Sequence, residues 1–532
     1  MKPSGSRLRQ LSRMDIALTA FLGLASLTLY VHTLAPSLLY GDSAEFQTIA
    51  YTLGIGHPTG YPVYILFAKL FTLLPIDEVA YRVNLFSALC AALTVGLVYL
   101  ILRKLGAQIL PAIYGALALA LTPLFWKHAS IAEIYAPSAA CLAFILFAVF
   151  QWKETKNPRW LFMAGLFGGL SLGIHTIIAL AAPAVVIYLA CSPLALSGAI
   201  AKSKRGEGLR VRVKSALLGA FVGIIIFLYS FLFLDWLDSP AGYYNTVVHP
   251  SLSVWSMTPA DFDSPFERLA FLYFPPQFNG QFFNAPSDEV ISRLKDFAAQ
   301  ASWNLWLALL GFVALFFPRK DSPSRWREAV PLMVGFITFL VFAATYNVYD
   351  FYVYYIPAIV VLAVLVGLGV NAIVEVFALI PKLPRFSPVV LGILILIAGI
   401  YPSKNIIASA WKERIPPGLE DWEGYFFTSP DARKFEAEHI VKGIEDNAIV
   451  FTDWDNAYSF YYVAHVLQGR TEMDFHETFP QDDVTQFADS AVAYIEANID
   501  TRPIYFSERP YQLVNQYKMT RAGSRLFRIE RK

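Results

Sequence analysis

The chain has 532 residues, of which 56% are hydrophobic and only 16% charged. Soluble proteins carry roughly a quarter charged residues, and the apolar runs here reach bilayer-spanning length, so a polytopic membrane protein is expected. The net charge of +1 and the lack of a basic block leave no basis for nucleic acid as a partner.

In chain order, a basic start precedes an apolar run over 15–34 with no small-residue cleavage site, which predicts an uncleaved first helix. Further membrane helices are predicted near 83–102, 109–125, 133–151, 160–173, 176–192, 215–234, 301–317, 328–345, 354–378 and 387–401. That makes about 11 transmembrane helices at roughly 20 apolar residues per span. The stretch 160–192 is too long for one span and reads as a hairpin turning near 171–176. The short run 60–74 reads as a helix lying at the interface. Cys90, Cys141 and Cys191 all fall in apolar runs and read as small core residues rather than disulfides or metal ligands.

Lysine and arginine gather in one set of loops, around residues 2–13, 103–104, 153–159, 202–214, 319–327 and 382–385. The opposite membrane-linked loops hold only Lys69, Arg82, Lys127, Arg268, Arg293 and Lys295. This bias predicts a cytoplasmic N-terminus. It puts the segment 35–82, the stretch 126–133, the turn 171–176, the loop 235–300 and residues 346–350 on the extracytoplasmic side. Residues 1–402 are thus expected to form the membrane domain. Residues 403–532 carry many charges and mix helical with strand patterns, the strands expected at 447–454 and 502–509. They read as a small soluble α/β domain, also extracytoplasmic.

The polar segment LLYGDSAEFQTIAYTLGIGHPTGYP follows the first helix directly. Ionisable groups beside a bilayer are costly and usually functional. If 43–53 is helical, with Asp42 or Ser43 at its N-cap, Asp42 and Glu45 share a face. Gly54 and Gly56 would end that helix, and HPTGYP would form a rigid turn carrying His57. Asp42 alone would be explained as a helix cap; as a functional group it is a general base or an acceptor-binding carboxylate. His57 beside the carboxylates suits a phosphate. In FWKHASIAEIYAP, Trp126 and Lys127 read as interfacial anchors, whereas Glu133 enters an apolar helix and is harder to explain structurally. His175 lies in a charge-free run, and Asp350 ends a span among tyrosines. Arg82 and Arg268 are available to an anionic head group, while Arg293 and Lys295 read as solvated loop charges. Asp453-Trp454-Asp455 is a chance triplet on this reading. There is no P-loop, HExxH or zinc-spaced Cys/His set, so ATP hydrolysis and zinc chemistry have no support.

A first external loop bearing a carboxylate, many spans and an external domain together resemble the GT-C glycosyltransferases. The opening segment also resembles the first block of a bacterial family related to the eukaryotic transmembrane O-mannosyltransferase acting on plexins and receptor kinases. FWKHASIAEIYAPSAA, GLSLGIHT, YNVYDFYVYYIP and FTDWDNAYSFYYVAHVLQGRTEMDF resemble further blocks. One departure is Thr59, where a second proline is expected.

The resemblance implies a GT-C-like membrane fold in a bacterial cell membrane. It implies sugar transfer, with mannose suggested, from a polyprenyl-phosphate-linked donor to an acceptor protein or glycan, a protein Ser/Thr hydroxyl first among them. Asp42 matches the loop carboxylate expected to be catalytic, with Glu45 beside it. His57, Tyr61, Arg82, His128, Glu133, Tyr135, His175, Arg268 and Asp350 are the expected substrate-binding groups. Neither a metal nor any other cofactor is expected, because a lipid phosphate already leaves as a stable anion. The alternatives are an oligosaccharide ligase or lipid-directed transferase and, outside enzymes, a transporter or flippase.

Overall fold

The computed structural model describes residues 11–191, 200–278, 280–302, 304–317, 325–381, 383–480, 486–523 and 525–532. Lys2, Arg7, Arg9, Arg319, Lys320 and Lys382, which enter the charge comparison, lie outside them. The first eight α-helices are α1 (Arg13–His32), α2 (Gly41–Thr52), α3 (Pro62–Thr72), α4 (Val79–Lys104), α5 (Ile109–Ala120), α6 (Pro123–Ala129), α7 (Tyr135–Thr155) and α8 (Arg159–Ser171). Among the described residues, seven helical segments are long and apolar enough to cross a bilayer, or nine if each of two bent pairs counts as one span. Several of them turn large apolar side chains outward, as lipid-facing helices do, and the chain is an integral membrane protein. The expected eleven exceeds this range because Arg159–Ser171 and Thr176–Cys191, the two arms of the 160–192 hairpin as far as the described residues reach, are each short of a full span. The expected domain break at 402/403 falls inside a helical run that continues from Ser387 to Glu413.

Small residues let these helices approach closely. Gly165 and Gly169 on α8 face Gly219 and Gly223 on the helix Ile200–Leu237, and a Cβ on Gly165 would lie 2.0 Å from the Ala216 carbonyl oxygen. In lipid, where burial drives association weakly, such backbone contact supplies the packing. At the start of α1, Ser12 and Asp15 form a capping box, and Asp15 is buried against Arg103 of α4, 2.6 Å away. Cys90 and Cys141 are buried as expected, whereas Cys191 is exposed.

The C-terminal part contains a five-stranded sheet of β1 (Ile449–Thr452), β2 (Asp474–Glu477), β3 (Ile504–Phe506), β4 (Tyr517–Arg521) and β5 (Phe527–Arg531), in the order β2-β1-β3-β5-β4. β2, β1 and β3 are parallel; β5 and β4 add antiparallel. β1 and β3 lie inside the two stretches expected to be strands. Ligands bind beyond the carboxyl ends of parallel strands, and those ends here lead into the site: Glu477 ends β2, and Trp454 follows β1 by two residues.

Candidate active site

The site is built where the loop between α1 and α4 meets the sheet. Tyr40, not Asp42 or Ser43, occupies the cap position of α2, in extended backbone (φ −133°, ψ 174°) and with no side-chain cap bond. Asp42 therefore sits in the first helical turn with its carboxylate uncommitted to capping. The helix closes on Leu53 in left-handed backbone (φ 58°), one residue before the expected glycine. Gly54 is needed for a different reason: a Cβ there would meet the Gly242 backbone nitrogen at 3.0 Å. The chain then turns back through Gly60 (φ +82°), whose N–H donates to the His57 carbonyl at 2.6 Å. Pro62 starts α3. This reversal returns His57 to α2.

There His57 Nδ1 lies 2.5 Å from Glu45 Oε2, and the His57 backbone N–H donates to Glu45 Oε1 at 2.7 Å. The Tyr61 hydroxyl donates to the Pro58 carbonyl at 2.8 Å and lies 3.0 Å from His57 Nε2. The Tyr61 hydroxyl can donate to Pro58 while accepting from Nε2, and Nδ1 faces a carboxylate, so the surroundings accommodate a ring protonated on both nitrogens. Burial opposes this charge, but Glu45 and then Asp42 outweigh it and raise His57 to about 10. Burial raises Glu45 above the ordinary carboxylate range, partly offset by His57.

Asp42 differs from Glu45 in exposure, its side chain 39% open against 0%. It lies 3.8 Å from His57 Nε2, and the Trp454 indole N–H donates to its Oδ1 at 3.3 Å. Two cavities meet at Asp42, Tyr135 and Asp350, a large one of about 1090 Å³ and a small one of about 160 Å³. His57, Tyr61 and His175 line the large cavity; His128 and Glu133 line the small one. Tyr135 donates to Asp350 Oδ2 at 3.4 Å, and Ser43 donates to Glu133 Oε1 at 3.3 Å. Burial, and then the Asp42 charge, raises Asp350 to about 6 and moves Glu133 upward as well. Burial, and then the His57 charge, lowers His175 to about 3. It is a neutral ring accepting the Ile177 N–H at 3.1 Å.

Three of the expected site residues line neither cavity. Arg82 faces neither cavity, because its guanidinium is taken up by the carbonyls of Thr72, Ile76 and Asp77. Arg268 is held in a two-pronged pair with Asp235, both bonds 2.7 Å. Glu45 lines neither cavity; its reach is to His57. Trp126 and Lys127 are buried rather than interfacial: the indole donates to Thr33 Oγ1 at 2.8 Å, and Lys127 donates to both Glu423 oxygens at 2.7 and 2.8 Å. Arg293 is buried too, donating to the Tyr346 carbonyl at 2.8 Å.

Trp454 is the main group missed. It lies 412 positions from its partner Asp42, inside the triplet set aside as chance, and no local spacing marks it. Asp453 does cap a helix there, accepting from the Asn456 N–H at 2.9 Å. Among the described residues, Asp42, Glu45 and His57 present ligating atoms within 4.8 Å of one another, close enough to share a metal ion. A metal bound there would have to displace a proton from the His57 ring.

The crystal structure of ArnT from Cupriavidus metallidurans superposes with a TM-score of 0.57 at 13% identity, covering 97% of both chains. The oligosaccharyltransferase of Archaeoglobus fulgidus gives 0.53 at 14% identity, over 92% of this chain and 69% of that one. Residues 42–195 match the family described as the N-terminal domain of protein O-mannosyl-transferase TMEM260. The mouse protein O-mannosyl-transferase TMEM260 is 30% identical over 165 residues, 30% of this chain and 22% of its own length. The chain thus shares its overall fold with these two solved structures and is related to the TMEM260 protein O-mannosyl-transferases through its N-terminal part.

Proposed function

We propose that the chain transfers a sugar from a polyprenyl-phosphate donor to an acceptor hydroxyl, a protein serine or threonine first among candidates, at the extracytoplasmic face. The observation that carries this is the division of labour in the first loop. Asp42 is the open carboxylate where two cavities meet, and a buried imidazolium–carboxylate pair stands behind it. The name of the mouse relative supports the reaction type, and the few cations in the loops on this side support the face.

The acceptor oxygen attacks the anomeric carbon as the bond from that carbon to the phosphate oxygen breaks. Asp42 takes the hydroxyl proton, and the lipid phosphate leaves with the bonding electrons. His57, the cation lining the large cavity, offsets the charge on the leaving phosphate, and Asp42 also stabilises positive charge at the anomeric carbon. Glu45 positions His57. The mechanism needs no metal. The lipid tail would run along the apolar side of the large cavity, by Ile177, Leu180 and Phe342.

The test is Asp42→Asn in purified protein given a polyprenyl-phosphate mannose and an acceptor peptide. A general base contributes about 10²–10⁴-fold, so transfer should fall by that factor while donor binding persists. Transfer near the wild-type rate would remove Asp42 from this role.

A further inference from the structure

The two cavities that meet at Asp42 differ in chemistry. The large one contains the His57 charge. The small one is closed on one side by Tyr40, Leu419, Glu423 and Phe427. Its cation, Lys127, is neutralised by both oxygens of Glu423, and Glu423 also accepts from the Tyr40 hydroxyl at 3.1 Å. No free positive charge remains there among the described residues for a phosphate. What the small cavity offers is hydrogen bonding. Glu133 is 9% exposed and has one long bond from Ser43. Asp350 accepts one long bond from Tyr135. His128 is 4% exposed, and neither ring nitrogen has a partner. A buried imidazole with both nitrogens unsatisfied is costly unless a ligand or an ordered water supplies the bonds.

We infer that the small cavity holds the donor's sugar ring, a neutral monosaccharide whose hydroxyls bond to His128, Glu133 and Asp350. This assignment rests on the proposed donor reading and deepens it. Mixed donors and acceptors without net attraction for an anion suit a polyol. A space of about 160 Å³ is of monosaccharide size, whereas the neighbouring cavity of about 1090 Å³ suits the phosphate, lipid and acceptor. Asp42 belongs to both, so the anomeric carbon lies at their junction, beside the carboxylate. The rim at Leu419, Glu423 and Phe427, from beyond the last span, closes over the ring and excludes water that would hydrolyse the donor.

The experiment compares binding of a polyprenyl-phosphate mannose with binding of the same polyprenyl phosphate lacking sugar, in purified full-length protein. Wild type should prefer the sugar-bearing lipid. His128→Ala should weaken the sugar-bearing lipid by about tenfold, as expected for losing one or two hydrogen bonds, and leave the bare lipid phosphate unchanged. Glu133→Gln, nearly isosteric, should show the same selective loss. Retained binding of bare lipid phosphate reports that each variant is folded. Equal losses for both lipids, no loss in either variant, or a wild type indifferent to the sugar would overturn the assignment. If wild type binds neither lipid, the donor reading itself falls and this assignment with it.

Discussion

Two carboxylates stand in the first turn of a helix near a cation, at Asp15 and at Asp42, and they do different work. Asp15 is buried and saturated. It accepts from the Ser12 N–H at 2.9 Å, the Ser12 hydroxyl at 2.8 Å, the Tyr99 hydroxyl at 3.1 Å and Arg103 Nε at 2.6 Å. Asp42 is open and undersatisfied, with one indole bond at 3.3 Å and His57 at 3.8 Å. A carboxylate whose lone pairs are filled from within the protein holds helices together. One whose lone pairs face a cavity can take a proton. Residue type and first-turn setting are shared, and what differs is how far the lone pairs are satisfied.

The comparison breaks most sharply under the same substitution at both sites. Asp42→Asn should cost about 10²–10⁴-fold in transfer with little change in thermal midpoint. Asp15→Asn should leave the turnover of folded protein unchanged and cost stability, because removing one partner of a buried pair costs about 3–5 kcal/mol. The midpoint of thermal unfolding in detergent and turnover per folded molecule read the two effects. If Asp15→Asn slows transfer without destabilising, the contrast fails.

His57 sharpens the contrast through pH. Its value is raised from an ordinary 6.5 to about 10, so the folded state binds the proton more tightly than the unfolded chain. The stability this gives is complete below about 6.5 and is lost as pH rises towards about 10. Thermal midpoints of wild type should fall across that window, and His57→Gln should abolish this part of the slope. A slope retained in the variant would show that the Glu45 pair is not its source. The smallest effect is expected at Trp454. Trp454→Phe keeps the ring and removes one hydrogen bond to Asp42, worth about 1 kcal/mol or roughly fivefold in transfer rate. No change in the pH dependence of transfer is expected, because His57 remains.

Much of the membrane body was legible from runs of apolar residues, because a bilayer imposes a length on every span. α4, α7 and the helix Ile356–Ala378 appear close to where the pattern put them. β1 and β3 were legible too, as short apolar runs bounded by turn residues. The hairpin over 160–192 resisted counting because its arms are short and packed through glycines, and hydropathy does not report depth in a bilayer. Within the site, Asp42, His57, Glu133, His175 and Asp350 stood out as polar residues in apolar surroundings, where burial is costly without a reason. The same logic singled out Arg82 and Arg268, whose guanidiniums are taken up by backbone carbonyls and by Asp235: an unpaired cation in sequence is often a paired one in space.

By itself the sequence determined that this is a membrane protein with ionisable groups concentrated in its first loop, because apolar length and stranded charge are local properties. Only the tertiary structure decided how those groups are paired. It paired His57 with Glu45 and left Asp42 open. It brought Trp454 across 412 positions to Asp42 and neutralised Lys127 with Glu423, so that one cavity is lined by His57 and the other, among the described residues, by no unpaired cation. Those outcomes depend on which lone pairs are filled and which surfaces are closed, and both are set by contacts between segments distant in the chain.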